Sequence, residues 1–160
     1  MNCQMPVLKR CLEDADFTDV KTLLSSGNVA FSTPRAASLP ALQKRVEKAM
    51  HDGAGYSFLT LVRSTTHLQQ LLDADPFAAF KLPAGGKRVL TFLREPGAVH
   101  DVELPITRDD ASILQRIGGE VLCVYVPNAK GPAFMTLLEK TFGKAITTRT
   151  LDTVARCARA

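Results

Sequence analysis

A chain of 160 residues with 46% hydrophobic content can bury a sizeable core, which excludes wholesale disorder. Lys and Arg exceed Asp and Glu by 20 to 16, and the excess is scattered in short pairs such as Lys9-Arg10, Lys44-Arg45 and Lys87-Arg88. Nucleic-acid binders gather their charge into a stripe, so nucleic acid is not the expected partner. No apolar run approaches the ~20 residues that a membrane-spanning helix needs. The opening Met1-Asn2-Cys3-Gln4-Met5-Pro6 lacks the basic start and apolar stretch of a leader, so a cytoplasmic protein without a membrane partner is expected.

Pro6 to Ala15 reads as a helix, with Pro6 in its first turn and Val7, Leu8, Cys11, Leu12 and Ala15 on one stripe. Val20–Leu24 and Val29–Phe31 are strand-like around Gly27-Asn28, residue types that tolerate the positive φ of a hairpin turn. Leu39–Met50 is an amphipathic helix capped by Ser38, with Leu39, Leu42, Val46, Ala49 and Met50 inward. Gln43, Lys44, Glu47 and Lys48 are expected outward, and Gly53 and Gly55 end the helix. Tyr56–Arg63 reads as a strand, followed by a helix that Ser64 caps. Phe77–Gly86 is a loop rich in Ala, Pro and Gly, and it marks a boundary between residues 1–77 and 87–160, with 78–86 as linker.

Arg88–Leu93 opens the second half as a strand. Glu95–Asp110 carries too much punctuation, at Pro96, Gly97 and Pro105, to be read as one element. Ser112–Ile117 and Glu120–Val126 form a hairpin around Gly118-Gly119. A helix over Pro132–Phe142, a short strand over Ile146–Arg149 and a helix over Leu151–Ala158 complete the chain. The apolar residues on both faces of "EVLCVYV" and "RVLTFL" require cover on both sides of the sheet, from the other half or from a partner chain.

The order of elements repeats. Placing "LVRSTTHLQQLL" over "TTRTLDTVARCA" aligns Arg63 with Arg149, each ending a strand before a hydroxyl N-cap, Ser64 or Thr150. The expected fold is α+β: two ferredoxin-like halves in tandem duplication, with mostly antiparallel sheets and helices on one face. The first half lacks its first strand, because only five residues precede Pro6. The start therefore reads as truncated, or as a gap filled by another segment or chain.

The stretches "FTDVKTLLSSGNVAF", "LVRSTTHLQQLLDADPF" and "LLEKTFGKAITTRTLDTV" resemble the bacterial family called domain of unknown function 1697 (DUF1697), over Met5 to Val154. The resemblance implies the same α+β layout of two ferredoxin-like halves, and no assigned activity. Two places depart from the family pattern. An opening strand and a Leu-Arg-Gly-Ile-Asn-Val-Gly-Gly loop are absent, and Gly131-Pro132-Ala133-Phe134 stands where a Ser-Lys pair is common.

Catalytic and metal motifs are not found. Cys3, Cys11, Cys123 and Cys157 form no C-x-x-C pair, and His51, His67 and His100 are dispersed, so no zinc site is expected. Cys123, between apolar neighbours, reads as a core residue, and His67 as a helix-surface residue without a nucleophile nearby. "EDADFTD" lacks the Gly and terminal Glu of a calcium loop, and "PAGGKR" puts Arg88 where a phosphate loop needs a hydroxyl. No catalytic residue, metal or cofactor is expected, and the enzyme question leans to no. Ser26, Gly27 and Asn28 serve either as a hairpin turn or as a nest of N–H groups for an anion. Thr148 and Arg149, and Arg63 in the first half, either hold an anion at a helix start or fix the helix, Arg149 by pairing with Asp152 or Glu139. The expected function is a non-catalytic binding or protein-interaction module, as a homo-oligomer or with a protein partner. The alternative is an enzyme or small-molecule binder for a phosphate or carboxylate near Arg149 and the Ser26–Asn28 turn.

Overall fold

A computed structural model describes residues 4–24, 27–34, 37–127 and 133–160. It is an α+β protein whose strands pair antiparallel in a two-stranded and a five-stranded sheet. The chain divides into two compact units, Met1–Gln69 with Ala155–Ala160, and Gln70–Val154.

In the first unit, helix α1 (Met5–Asp14) leads into strands β1 (Thr18–Leu23) and β2 (Asn28–Ser32), then helix α2 (Leu39–Ala54). Ser38 caps α2 by accepting the Ala41 N–H at 3.3 Å, and Gly55 ends it at φ +85°. Leu8 and Leu12 of α1, Val20 of β1, and Leu42, Val46 and Met50 of α2 form one buried cluster, against which Val29, Phe31 and Phe58 pack. The helices touch closely where Gly53 faces Cys11: a Cβ on Gly53 would sit 2.6 Å from the Cys11 Sγ.

Three expectations are corrected here. Leu39, at the start of α2, does not face inward: it is 37% exposed. Tyr56–Arg63 is not a strand: among the described residues it has no ladder partner, and α2 side chains take two of its backbone donors instead. The Thr60 N–H goes to Glu47 Oε2 at 3.2 Å and the Val62 N–H to Gln43 Oε1 at 3.1 Å. Gln43 accordingly does not face solvent; it is 3% exposed, because a buried amide donor needs an acceptor. Helix α3 (Thr65–Asp73) follows, capped as read: Ser64 Oγ accepts the His67 N–H at 3.0 Å.

In the second unit, a 3-10 turn (Pro76–Ala79) buries Phe77 inside the stretch read as loop. Strand β3 (Lys87–Leu93) follows, then a 3-10 turn (Pro96–Ala98) and β4 (Ile106–Arg108) in the stretch that resisted reading. The rest is β5 (Ala111–Ile117), β6 (Glu120–Tyr125), α4 (Ala133–Phe142), β7 (Ile146–Thr150) and α5 (Leu151–Ala158). Pro132, read as the start of α4, lies outside the described residues. The sheet order is β4-β5-β6-β3-β7.

Directly opposed residues share a face. Val89, Leu93, Val121, Cys123 and Ile113 therefore meet Leu137, Leu138 and Phe142 of α4 in one core. Leu90, Phe92, Leu122 and Val124, on the opposite face, are buried too. The crossover from β3 to β5 contains no α-helix. Arg116 organises it: Nε donates to Gly118 O at 2.8 Å, Nη1 to Val99 O at 3.0 Å and Nη2 to Pro96 O at 2.7 Å.

Candidate functional site

A cleft of about 580 Å³ opens at one end of the second unit's sheet. Three elements build it. The β4–β5 hairpin turns on Asp109 and Asp110, because Arg108 opposes Ala111; Asp109 takes the left-handed region at φ +54°. The Val126 N–H donates to Asp110 O at 2.8 Å and ties the end of β6 to this turn. Helix α4 then starts with Phe134 stacked on Tyr125, ring centroids 4.9 Å apart at 18°. Val89 and Ile146 add apolar lining, and the edge strand β7 supplies Thr147 to Thr150.

The polar groups of the cleft divide into those used internally and those left over. Thr148 Oγ1 lies 3.1 Å from Thr91 Oγ1, and Thr150 Oγ1 accepts the Thr153 N–H at 3.3 Å as the α5 cap. Arg149 Nη1 donates to Thr147 Oγ1 at 2.8 Å and to Thr148 O at 2.9 Å, so this nitrogen is committed to its own strand. By contrast, the side chains of Arg108, Asp109 and Tyr125 make no hydrogen bond or ion pair among the described residues.

The residues singled out from the sequence fall as follows. Thr148 and Arg149 line the cleft, but they alternate across β7: Thr148 opposes Thr91 and Arg149 opposes Leu90. Arg63 Nη1 donates to Val62 O at 2.9 Å, as Arg149 does to its own preceding carbonyl. Gly27 has φ +85°. Asn28 is buried as the first residue of β2, and its Nδ2 donates to Leu23 O at 3.2 Å across the base of the turn. Leu24, not Asn28, takes the second positive φ of this connection, at +61°. Ser26 lies outside the described residues. Sequence reasoning missed Arg108, Asp109, Tyr125 and Phe134. The signal available was an aromatic closing β6 and another opening α4, a pair that a short connection brings together.

Cys123 is fully buried, and burial pushes its thiol up to about 12 although the Thr91 hydroxyl partly offsets this. The thiol is protonated at neutral pH and cannot serve as a nucleophile. Among the described residues no three His, Cys, Asp or Glu side chains cluster as metal ligands, and no helix is long and apolar enough to cross a membrane.

No curated protein and no solved structure matches this chain. The family model described as "Protein of unknown function (DUF1697)" matches residues 1–121. The match takes in Met1–Gln69 of the first unit and β3 to the start of β6, including Arg108 and Asp109; Tyr125, α4, β7 and α5 lie beyond it. With three quarters of its length matched in one continuous stretch, the chain belongs to the DUF1697 family.

Proposed function

We propose that the protein is a non-catalytic binding module that takes a small molecule in the cleft of its second unit. The observation that carries this reading is the pairing of an apolar wall, Tyr125 on Phe134, with Arg108, Asp109 and the Tyr125 hydroxyl, which no partner among the described residues satisfies. Small-molecule sites combine apolar walls with a few convergent polar groups in this way. Cytoplasmic residence and pairing with a second copy belong to the same proposal; exposed Tyr56 and Leu59 of the first unit support the pairing.

The fold that presents the cleft is read as two ferredoxin-like halves. In the second unit β5, β6, β3 and β7 stand in the order of the second, third, first and fourth strands of a β-α-β-β-α-β unit. The Arg116-held crossover takes the place of the first helix. In the first unit the succession β1–β2 hairpin, α2, Tyr56–Arg63 and α3 parallels the hairpin β5–β6, α4, β7 and α5. Arg63 and Arg149 support the parallel, each bonded to the preceding carbonyl and each followed by a capping hydroxyl. Among the described residues, no strand of the first unit stands where β3 stands in the second.

Saturation-transfer NMR against a library of small aromatic acids, amines and amino acids tests the function. Members of the library should receive saturation, and Phe134→Ala should remove the transfer while leaving the melting temperature of the second unit's transition within a few degrees. Transfer that survives Phe134→Ala unchanged refutes the site.

A further inference from the structure

We infer that the cleft takes a zwitterion, an α-amino acid with an apolar or aromatic side chain, its carboxylate on Arg108, its ammonium on Asp109 and its side chain against Tyr125 and Phe134. This rests on the cleft being the binding site. Among the described residues, the charges lining it are two arginines, Arg108 and Arg149, and two aspartates, Asp109 and Asp110, which balance. A simple anion would meet two carboxylates and a simple cation two guanidinium groups; a ligand carrying both signs satisfies both.

The division of roles follows from what is already engaged. Arg149 spends Nη1 on Thr147 Oγ1 and Thr148 O, whereas Arg108 has no partner among the described residues and can offer its fork of N–H donors to two carboxylate oxygens. Asp109 follows Arg108 directly in the turn, yet the two do not pair with each other. The left-handed backbone of Asp109 holds it at the tip of the hairpin, so a carboxylate and a guanidinium stay available on neighbouring residues. The stacked rings supply a flat apolar surface on which an aromatic or branched side chain can lie.

The probes are L-phenylalanine, 3-phenylpropionate, which lacks the ammonium, and phenethylamine, which lacks the carboxylate. Dissociation constants come from NMR titration of the whole chain. L-Phenylalanine should bind about ten-fold tighter than either single-charge analogue, since each charge-assisted contact is worth about that factor. Arg108→Gln should erase the advantage over phenethylamine, and Asp109→Asn the advantage over 3-phenylpropionate. Both positions are exposed, and Asn tolerates the left-handed φ of position 109, so the variants keep the fold. If an analogue binds as tightly as L-phenylalanine, and Phe134→Ala weakens both, the zwitterion inference is overturned and the binding site stands. If none of the three compounds binds, or binding ignores Phe134→Ala, both fall.

Discussion

The two units solve the same problem with different means. In the second, β3 lies between β6 and β7 and bonds to both, so its backbone groups are satisfied by other backbone groups. In the first, the hairpin β1–β2 stands alone as a sheet, and Tyr56–Arg63 leans on two side chains of α2. A ladder spreads its bonds over many residues and survives most substitutions. A side-chain acceptor concentrates the same duty in one group, and losing that group strands a buried N–H. The difference teaches that one alternation of burial, Phe58, Thr60 and Val62 against Leu59, can be held in place with no sheet at all.

The largest effect expected from breaking this contrast is in the second unit's core. Leu138→Ala, at a fully buried position over the sheet, should cost about 2–5 kcal/mol by urea denaturation. A loss below 1 kcal/mol would show that α4 is not packed as described. Gln43→Ala should come next, at about 1–3 kcal/mol, because the Val62 N–H loses its acceptor. Hydrogen exchange at the Val62 amide should then accelerate far more than at any amide of β3, and equal acceleration would erase the distinction between the units.

Gly53→Ala sharpens the picture of the first unit. Alanine ordinarily improves a helix interior, but here its methyl group meets the Cys11 sulfur, so a net cost of about 1 kcal/mol is expected. In a double-mutant cycle with Cys11→Ala that cost should vanish. The last effect is absent at neutral pH and confined to alkaline solution. The Cys123 thiol sits at about 12 in the folded chain against 9.0 for an unhindered thiol, so the native state keeps a proton that the unfolded chain has released. Stability is whole below pH 9 and declines between the two values as pH rises, by at most about 1.4 kcal/mol per pH unit. Cys123→Ala should flatten that limb of the melting profile, and an unchanged slope would place the thiol in water.

What could be read from the sequence was local. Gly118-Gly119 announced the β5–β6 hairpin, Ser38 and Ser64 their helices, and helical spacing α1, α2 and α5. What escaped was set by distant partners. A period of two in Tyr56–Arg63 looks the same whether its N–H groups meet a strand or the side chains of Gln43 and Glu47. The segment after β3 has no periodicity of its own, since its shape comes from Arg116, 20 residues beyond Pro96. Thr148 and Arg149, singled out for their place before a helix, line the cleft, whereas Arg108 and Asp109 fall in the stretch with no readable pattern, and only the strand order sets them beside Tyr125 and Phe134.

Arg116 has a consequence for how this family can vary in length. Three backbone oxygens return to one guanidinium from Pro96, Val99 and Gly118, with the exposed Asp101 carboxylate a looser fourth contact at 3.6 Å, so the intervening chain is gauged chiefly at those three points. Residues inserted beside the exposed Val102 leave all three anchors in register, whereas one inserted between Pro96 and Val99 displaces an anchor. Lengthening is thereby permitted on the approach to β4, the strand that carries Arg108.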